Sequence, residues 1–401
     1  MTKKILCVFG TRPEAVKMAP VVMKLKALSP KIRTKVCVTA QHRSMLDDVL
    51  KIFRIKPDHD LDIMQDGQSL EHIGKTVLEK LAPVLKDEKP DLVLVHGDTS
   101  TTFFAALSSF YQKIPVGHVE AGLRSYDFNN PFPEEANRRL ADAICALHFA
   151  PTVSAKKNLL KENISAESIF MTGNSVIDAL AWAVSQKHEF NNPVLRNIFG
   201  SGQACLAPTA RDENLAKAAY KLILVTAHRR ENFGKPLIDI FSALRTVADR
   251  FPEVRIVYPV HLNPNVQSAV KKILSGRRNI ILLPPLDYLD FSHLLKRSYM
   301  AVTDSGGLQE EAPSLGKPVL VLRKVTERPE AVAAGAAKVV GTDKNMIVRE
   351  ISALLEDGRA YKKMSNAVNP YGDGKASERI AKAVLFHLGL SREKPEDFKG
   401  K

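Results

Sequence analysis

Several carboxylates of this 401-residue sequence directly follow short apolar runs, where they could carry out acid–base chemistry. "LVLVHGD" ends on Asp98, "PVGHVE" ends on Glu120, and "PFPEEANRR" contains Glu134 as its fourth residue. Neighbouring carboxylates shift one another's pKa values towards the range that proton transfer needs. Plainer explanations exist, because Asp98 could cap the helix that follows it and Glu134 could be an ordinary helix-start acid. Taken together, and with His228 of "VTAHRREN" from the second half of the chain, they predict a proton-transfer site.

A second group of residues is typical of anion binding. In "YMAVTDSGGLQEE", Gly306 and Gly307 allow a close approach of the backbone to a ligand, and the amides at a helix start attract anions. Glu311, one turn further on, could stabilise the helix start or accept hydrogen bonds from sugar hydroxyls. Arg12 and Lys17 of "CVFGTRPEAVK" could face a phosphate at another helix start, although a simple capped helix with proline in its first turn explains the same residues.

Metal and nicotinamide chemistry are not expected. His96, Asp98, His118 and Glu120 could supply metal ligands, but they match no HExxH motif and no Cys/His spacing. Neither a Gly-x-Gly-x-x-Gly after the first strand nor a GxxxxGK[ST] motif occurs. A disulfide framework is not expected either, because four well-separated cysteines form no CxxC pair: Cys7, Cys37, Cys145 and Cys205.

Composition narrows the class of protein further. The net charge of +14 would permit a polyanionic partner, but the lysines and arginines are scattered without interleaved aromatic residues, so we expect no nucleic-acid partner. The first apolar run, residues 5–9, is too short for a signal peptide, and no run approaches the ~20 apolar residues of a membrane span. We therefore expect a cytoplasmic protein with no membrane insertion.

Short β-branched runs alternate with amphipathic stretches, and this pattern starts a second time near residue 221. It predicts an α/β fold of two Rossmann-like domains facing across a ligand cleft at the carboxyl ends of their sheets. We assign residues 1–184 to the first domain, 185–220 to a polar linker or insertion, and 221–374 to the second domain. The last helical stretch, in 375–401, could pack on either domain.

The motifs in their order identify a family resemblance. "FGTRPEAVKMAP", "HGDTSTT", "GHVEAGLRS", "PFPEEANRR", "TAHRREN" and "TDSGGLQEEAPSLGKPVLVLR" resemble those of bacterial non-hydrolysing UDP-N-acetylglucosamine 2-epimerases. The resemblance runs from about Lys4 to Leu388, apart from the polar stretch before Lys221. It implies a glycosyltransferase-B-like fold, a homodimer, a last helix that crosses back to the first domain, and no metal or nicotinamide cofactor.

The implied activity is the reversible conversion of UDP-N-acetylglucosamine to UDP-N-acetylmannosamine for cell-surface polysaccharide synthesis. In the family, UDP is eliminated to leave 2-acetamidoglucal and then adds back, while C2 is deprotonated and reprotonated on opposite faces. Two alternatives share the motifs: a hydrolysing 2-epimerase and a 2-epimerase of another UDP-amino sugar.

The resemblance also implies roles for individual residues. The catalytic group would be Asp98, Glu120, Glu134 and His228, with Arg138 beside it. The nucleotide would be bound by Arg12, Lys17 and Arg328 near the diphosphate, by Ser305, Gly306 and Gly307 at the phosphates, by Glu311 at the ribose, and by Leu286 and Phe291 at the uracil.

Some family members bind a second UDP-N-acetylglucosamine as an activator. Gln41, Arg229 and His261 match that regulatory pattern. Ser44 and Gly67 depart from it, because the relatives carry glutamine and arginine at those positions. A missing arginine–phosphate pair costs about 1.5 to 3 kcal/mol, so the sequence predicts weak or absent activation.

Overall fold

The computed structural model describes residues 2–41, 43–65, 67–200 and 220–400. Its chain divides into two compact units. Unit 1 consists of Met1–Trp182 and Tyr371–Lys401, and unit 2 consists of Ala183–Pro370.

Strands and helices alternate along both units. The strands are β1 (Lys3–Phe9), β2 (Ile32–Val38), β3 (His59–Asp60), β4 (Leu92–His96), β5 (Val116–Val119), β6 (Leu147–Ala150), β7 (Ile169–Met171), β8 (Lys221–Thr226), β9 (Val254–Pro259), β10 (Ile280–Leu283), β11 (Met300–Thr303), β12 (Val319–Val321) and β13 (Ala337–Val339). The helices are α1 (Arg12–Lys26), α2 (Arg43–Ile52), α3 (Leu70–Glu88), α4 (Ser100–Tyr111), α5 (Glu134–Ile144), α6 (Val153–Lys161), α7 (Ser175–Ser185), α8 (Pro193–Gly200), α9 (Lys235–Arg250), α10 (Pro264–Ile273), α11 (Tyr288–Arg297), α12 (Gly306–Ser314), α13 (Pro329–Ala333), α14 (Lys344–Glu356), α15 (Gly358–Ser365) and α16 (Ala376–His387).

The sheet of unit 1 is parallel, with the strand order β3-β2-β1-β4-β5-β6-β7. Its central strands are almost continuously apolar and buried, as expected where helices cover both faces of a parallel sheet. The strand order reverses between β1 and β4, and this point is where parallel α/β sheets bind ligands. The residues that follow β1, β4 and β5 therefore lie at one sheet edge.

The sheet of unit 2 is also parallel, with the order β10-β9-β8-β11-β12-β13. β8 and β11 are neighbours on either side of its reversal point. His228 follows β8 and Asp304 follows β11, so both lie at the ligand-binding edge of this sheet. The predicted α/β fold with two parallel sheets is confirmed.

Part of the predicted linker or insertion forms a helix within unit 2. Residues 193–200 form α8, and the segment before it is bonded to α11 through the buried Asp290. The Asp290 carboxylate accepts hydrogen bonds from the His188 ring at 2.6 Å and from the amides of Asn191 and Asn192 at 2.9 and 2.8 Å. Residues 201–219, which include Cys205, lie outside the described part of the chain.

The last helix, α16, belongs to unit 1, where it contacts α1. Its first turn is held by Asp178 of α7, whose carboxylate accepts from the amides of Ala376 and Ser377 at 3.1 and 2.8 Å. Such side-chain acceptors satisfy amides that have no partner within the helix. Over the described residues, none of the helices has both the length and the apolar character needed to cross a membrane.

Candidate active site

The loop after β1 is held in place by Glu14 of α1. One carboxylate oxygen accepts from the amides of Gly10 and Thr11 at 3.0 and 2.7 Å, and the other accepts from the Thr99 hydroxyl at 2.7 Å. Glu14 thereby joins the β1–α1 loop to the β4–α4 loop. Sequence reasoning missed this residue, although its signal was present as a capping box, Thr-x-x-Glu, that starts at Thr11.

Gly10 leaves β1 where no side chain would fit. A methyl group on this residue would lie 1.9 Å from Thr39 Oγ1 and 2.7 Å from Thr101 Oγ1. The loop that carries Arg12 can therefore pass close to the neighbouring strand ends. Arg12 is the first residue of α1, directly before the proline of the first turn, and it is half-buried.

Glu120 of unit 1 contacts both a lysine and an asparagine side chain. Its Oε2 atom forms an ion pair with Lys17 Nζ and accepts a 2.8 Å hydrogen bond from Asn174 Nδ2. The residue follows β5 with φ +68°, a left-handed conformation that costs a non-glycine residue about 1 to 3 kcal/mol. Strain of this kind is commonly found at functional sites, and here it turns the Glu120 side chain out of the strand.

His96, the last residue of β4, is buried beside this carboxylate. Its Nε2 atom lies 3.9 Å from Glu120 Oε2, and neither ring nitrogen forms a hydrogen bond within the described residues. Burial, helped by the nearby charges of Lys17 and His118, lowers the pKa of His96 to about 3 despite the opposing effect of Glu120. His96 is therefore a neutral imidazole at neutral pH.

The structure decides against Asp98 as a helix cap. Thr99 is the N-cap of α4, and its hydroxyl accepts from the Thr102 amide at 3.2 Å. The Asp98 carboxylate instead bonds to Arg138 Nε of α5 at 3.0 Å, and Asn137 Nδ2 donates to the Asp98 carbonyl at 2.9 Å. Asp98 thus faces the helix that also carries Glu134.

The two glutamates that start α5 have different surroundings. Glu135 is buried and accepts hydrogen bonds from the amides of Ser125 and Tyr126 at 2.9 and 3.1 Å, which explains it as a structural residue. Glu134 is half-buried, and its Oε2 atom forms no hydrogen bond within the described chain. The catalytic role of Glu134 stays a prediction.

His118, considered above as a metal ligand, uses both of its ring nitrogens inside the protein. Nδ1 lies 2.6 Å from Asp142 Oδ1, and Nε2 lies 2.7 Å from the Gly97 carbonyl. Among the residues that the structure describes, no three His, Cys, Asp or Glu side chains are grouped as a metal site requires.

In unit 2, the start of α12 combines helix amides with two arginines. Ser305 is the N-cap, its side chain forms no capping hydrogen bond, and the first turn contains no acidic residue. A methyl group on Gly306 would lie 3.8 Å from Arg229 Nη2 and 4.0 Å from Arg328 Nη2. Two guanidinium groups beside the free end of a helix form a site suited to a phosphate, with the exposed Gly307 leaving room for it.

The adjacent glutamates of α12 also differ from each other. Glu310 is buried and paired with Arg328, and its carbonyl accepts from Asn369 Nδ2 at 3.0 Å. Glu311 is half-buried in the second turn of the helix, where the helix dipole has little effect. Glu310 therefore supports Arg328, and the ligand-binding role of Glu311 stays a prediction.

His228 is held at the edge of the same sheet by Asp304. The fully buried Asp304 accepts through Oδ2 from the amides of His228 and Arg229, both at 2.8 Å, and its Oδ1 lies 3.5 Å from His228 Nδ1. The His228 and His261 rings stack at 5.1 Å. Burial lowers the pKa of His228, and the effects of His261 and Arg229 add to the lowering while Asp304 opposes it. Sequence reasoning missed Asp304, although an aspartate directly after the apolar run of β11 is a signal for it.

The remaining predicted residues have these positions. Leu286 is buried just before α11 and Phe291 is half-buried within it, with Asp287 as the N-cap between them. Gln41 belongs to unit 1, where its side-chain oxygen accepts from Thr101 Oγ1 at 3.3 Å. Gly67 has φ +68°, and no atom lies within 4 Å of the position that its Cβ would take. The structure does not describe the side chain of Ser44. The regulatory site therefore stays a prediction.

The fold and these two groups of residues define a class. Parallel α/β units with carboxylates at one sheet edge, and an arginine-flanked helix start at another, are typical of enzymes that act on a phosphorylated or nucleotide-linked substrate.

Comparison with known proteins gives the family. The family model described as UDP-N-acetylglucosamine 2-epimerase matches residues 24–385. The UDP-N-acetylglucosamine 2-epimerases of Bacillus subtilis (strain 168) and Escherichia coli (strain K12) are 52% and 53% identical over 398 and 381 residues. These alignments cover 99% and 95% of this chain and 99% and 98% of the relatives. The crystal structure of the Neisseria meningitidis enzyme bound to UDP-GlcNAc is 48% identical, with a TM-score of 0.82, and the match covers 95% of this chain and 99% of that one. The chain belongs to the UDP-N-acetylglucosamine 2-epimerase family, and it is an isomerase.

Proposed function

We propose that the chain interconverts UDP-N-acetylglucosamine and UDP-N-acetylmannosamine without releasing the sugar to water. The observation that carries this proposal is the pair of carboxylates after adjacent strands β4 and β5, each held by its own cation. Asp98 is bonded to Arg138, and Glu120 is paired with Lys17. Support also comes from the relatives named above and from the bound UDP-GlcNAc of the Neisseria meningitidis enzyme.

Inversion at C2 requires the loss of a proton that no neighbouring carbonyl acidifies. In the proposed reaction, the C1–O bond breaks first and its electron pair leaves with UDP. The positive charge that develops at C1 acidifies C2, a carboxylate takes the C2 proton, and a C1=C2 double bond forms in 2-acetamidoglucal. The UDP oxygen then attacks C1, while a second group delivers a proton to the opposite face of C2. Both steps balance without an external oxidant or reductant.

Cations would stabilise the departing diphosphate. We assign this role to Arg12, Lys17 and Arg328, together with the amides at the start of α12.

Proton NMR in D2O tests the proposed reaction. The protein is incubated with UDP-N-acetylglucosamine in D2O, and we expect the C2 proton signal to disappear from the recovered UDP-linked sugars, because elimination and readdition exchange that proton with solvent. Epimerisation that keeps the C2 proton would contradict the mechanism. Free N-acetylmannosamine as the product would identify a hydrolysing enzyme instead.

Glu311 is expected to bind the nucleotide. Glu311→Ala should weaken UDP binding by about 1 to 3 kcal/mol if the carboxylate accepts charge-assisted hydrogen bonds from the ribose. Calorimetric titration with UDP measures the change. Glu356→Ala is a suitable control, because Glu356 lies in the same unit and pairs only with Arg250 on the surface of the described chain. Equal UDP affinity in the two variants would remove Glu311 from the site.

A further inference from the structure

His118 connects the two chain segments that carry the proposed acid–base residues. Its Nε2 atom contacts the carbonyl of Gly97, which is the residue directly before Asp98, at 2.7 Å. His118 itself lies two residues before Glu120. The Gly97 amide donates to the Val119 carbonyl at 2.9 Å, so the same two segments are joined a second time.

The backbone at this junction depends on such contacts. Gly97 has φ +73° and Glu120 has φ +68°, so both residues leave the regular strand conformation just beyond β4 and β5. If Gly97 carried a Cβ, that atom would lie 4.0 Å from Glu120 Oε1. The two carboxylate-bearing segments are therefore close enough that a shift of the Gly97 carbonyl would change the distance between Asp98 and Glu120.

The other side of the His118 ring is held by a buried ionic network. Asp142 bonds to His118 Nδ1 through one oxygen, and its other oxygen accepts from Arg124 Nη2 at 2.7 Å and from the Gly122 amide at 3.2 Å. Arg124 also bonds to both oxygens of Glu162, at 2.8 and 2.7 Å. Arg139 Nε also lies 3.6 Å from Glu162, at the more exposed end of the network. The buried charges of His118, Asp142 and Arg124 therefore each have an oppositely charged partner.

The acceptors on both sides determine the protonation state of His118. A carbonyl and an ionised carboxylate can only accept, so both ring nitrogens must carry protons. Burial disfavours the charged form, but the charge of Asp142 and the hydrogen bonds to Asp142 and Gly97 outweigh it and raise the pKa of His118. Burial likewise opposes ionisation of Asp142, yet His118 and Arg124 lower its pKa to about 2.

The other titratable groups around the network do not compete for this proton. His96 on β4 and His148 on β6 both have a lowered pKa, for which burial is the main cause. Burial raises the pKa of Cys145, at the end of α5, well above its ordinary value. Of the three histidines His96, His118 and His148, His118 is the one whose charged form is favoured by its surroundings.

We propose that His118 is a positioning residue that sets the spacing of Asp98 and Glu120 by holding the Gly97 carbonyl, with Asp142 and Arg124 fixing the orientation of its ring. The inference rests on the proposed function, in which these two carboxylates move the C2 proton. His118 does not itself touch the substrate in this proposal.

Two substitutions separate the Gly97 contact from the Asp142 contact. The amide nitrogen of His118→Gln is placed near the former Nε2 and can still donate to Gly97, whereas that of His118→Asn is placed near Nδ1 and cannot. Since small displacements of catalytic groups cost up to about 10²-fold in rate, we expect kcat to fall roughly 10²-fold in His118→Asn and only about tenfold in His118→Gln. KM and UDP affinity should stay near the wild-type values in both.

His148 offers a matched control. It is buried on the neighbouring strand in register with His118, and its Nε2 bonds to the main-chain carbonyl of Asp142 at 2.8 Å without contacting Gly97. We expect kcat of His148→Asn to stay within about threefold of wild type. Equal kcat losses in His118→Asn and His148→Asn, or in His118→Asn and His118→Gln, would overturn the inference. If His118→Asn does not fold, His118→Gln against His148→Gln tests the contact of the ring with Asp142, and equal kcat values in these two variants would overturn the inference.

The pH dependence of stability and kcat is a further test, because a residue that only fills space would not change it. The pKa of His118 is raised in the folded state, so its contribution to stability is full below the unfolded pKa of about 6.5 and is lost as the pH rises through the folded pKa. In the wild type, both stability and kcat should decline as the pH rises through the folded pKa of His118. His118→Gln should not show this decline. If His118→Gln has the same pH profile as the wild type, the inference is contradicted. If the wild type exchanges the C2 proton and His118→Asn is as active as the wild type, the inference fails but the proposed function stands. If the wild type does not exchange the C2 proton, the proposed function fails as well.

Discussion

Asp98→Asn and Glu120→Gln should each lower turnover about 10²-fold or more, with UDP binding close to wild type. Both substitutions keep the shape of the side chain and remove its ability to accept a proton. Asp98 retains its neighbours Arg138 and Asn137, and Glu120 retains Asn174, so the loss would report chemistry more than misfolding. Turnover is measured from the C2 exchange rate in D2O, and UDP binding is measured by calorimetry.

Asp91→Asn provides the control for that experiment. Asp91 lies at the opposite, amino-terminal end of β4, where its carboxylate bonds to the Lys3 side chain and the Lys4 amide, both at 2.8 Å. The same chemical change on the same strand should leave turnover within a few-fold of wild type. If Asp98→Asn and Glu120→Gln are as active as Asp91→Asn, the two carboxylates are structural and the proposed mechanism fails.

Asp304→Ala is expected to destabilise unit 2 by about 3 to 5 kcal/mol, because it leaves several buried donors without their charged acceptor. Asp304 is fully buried, and it accepts from the amides of His228 and Arg229 and from Asn232 Nδ2 at 3.2 Å. Urea unfolding measures the loss. Asp304→Asn keeps an acceptor oxygen without the charge, so its effect should be smaller.

Ser305→Ala tests whether the effect belongs to the carboxylate. Ser305 is the next residue, and its side chain makes no capping hydrogen bond in α12. We therefore expect its unfolding midpoint to match that of the wild type. A midpoint for Asp304→Ala that also matches the wild type would show that the three donors find other partners, and that Asp304 is not what holds His228 in place.

The order of elements was readable from the sequence because it depends on local patterns. Continuous apolar runs predict buried parallel strands, and the alternation with amphipathic stretches predicts the two parallel sheets that the structure shows. The polar residues at strand ends could also be predicted, because each directly follows an apolar run. Parallel strands bring their carboxyl ends to one edge, so Asp98 and Glu120 had to lie near each other once β4 and β5 were neighbours.

Local signals were weaker where one residue type serves two purposes. An aspartate before a helix reads equally well as a cap or as a functional acid, and only the structure shows that Thr99 caps α4 while Asp98 bonds to Arg138. The same ambiguity applies to the paired glutamates. Burial separates Glu310 from Glu311, and a difference in burial between adjacent helical residues depends on what packs against the helix.

The sequence alone determined the α/β class, the family resemblance and the candidate carboxylates. Only the tertiary structure decided how those carboxylates are held. Glu14 reaches Thr99 across 85 positions of the chain, and Lys17 reaches Glu120 across 103. His118 bonds to Gly97 and Asp142 at separations of 21 and 24 residues. Hydrogen bonds between distant segments leave no periodic pattern in either segment, because their geometry exists only after the strands have paired and the loops have closed.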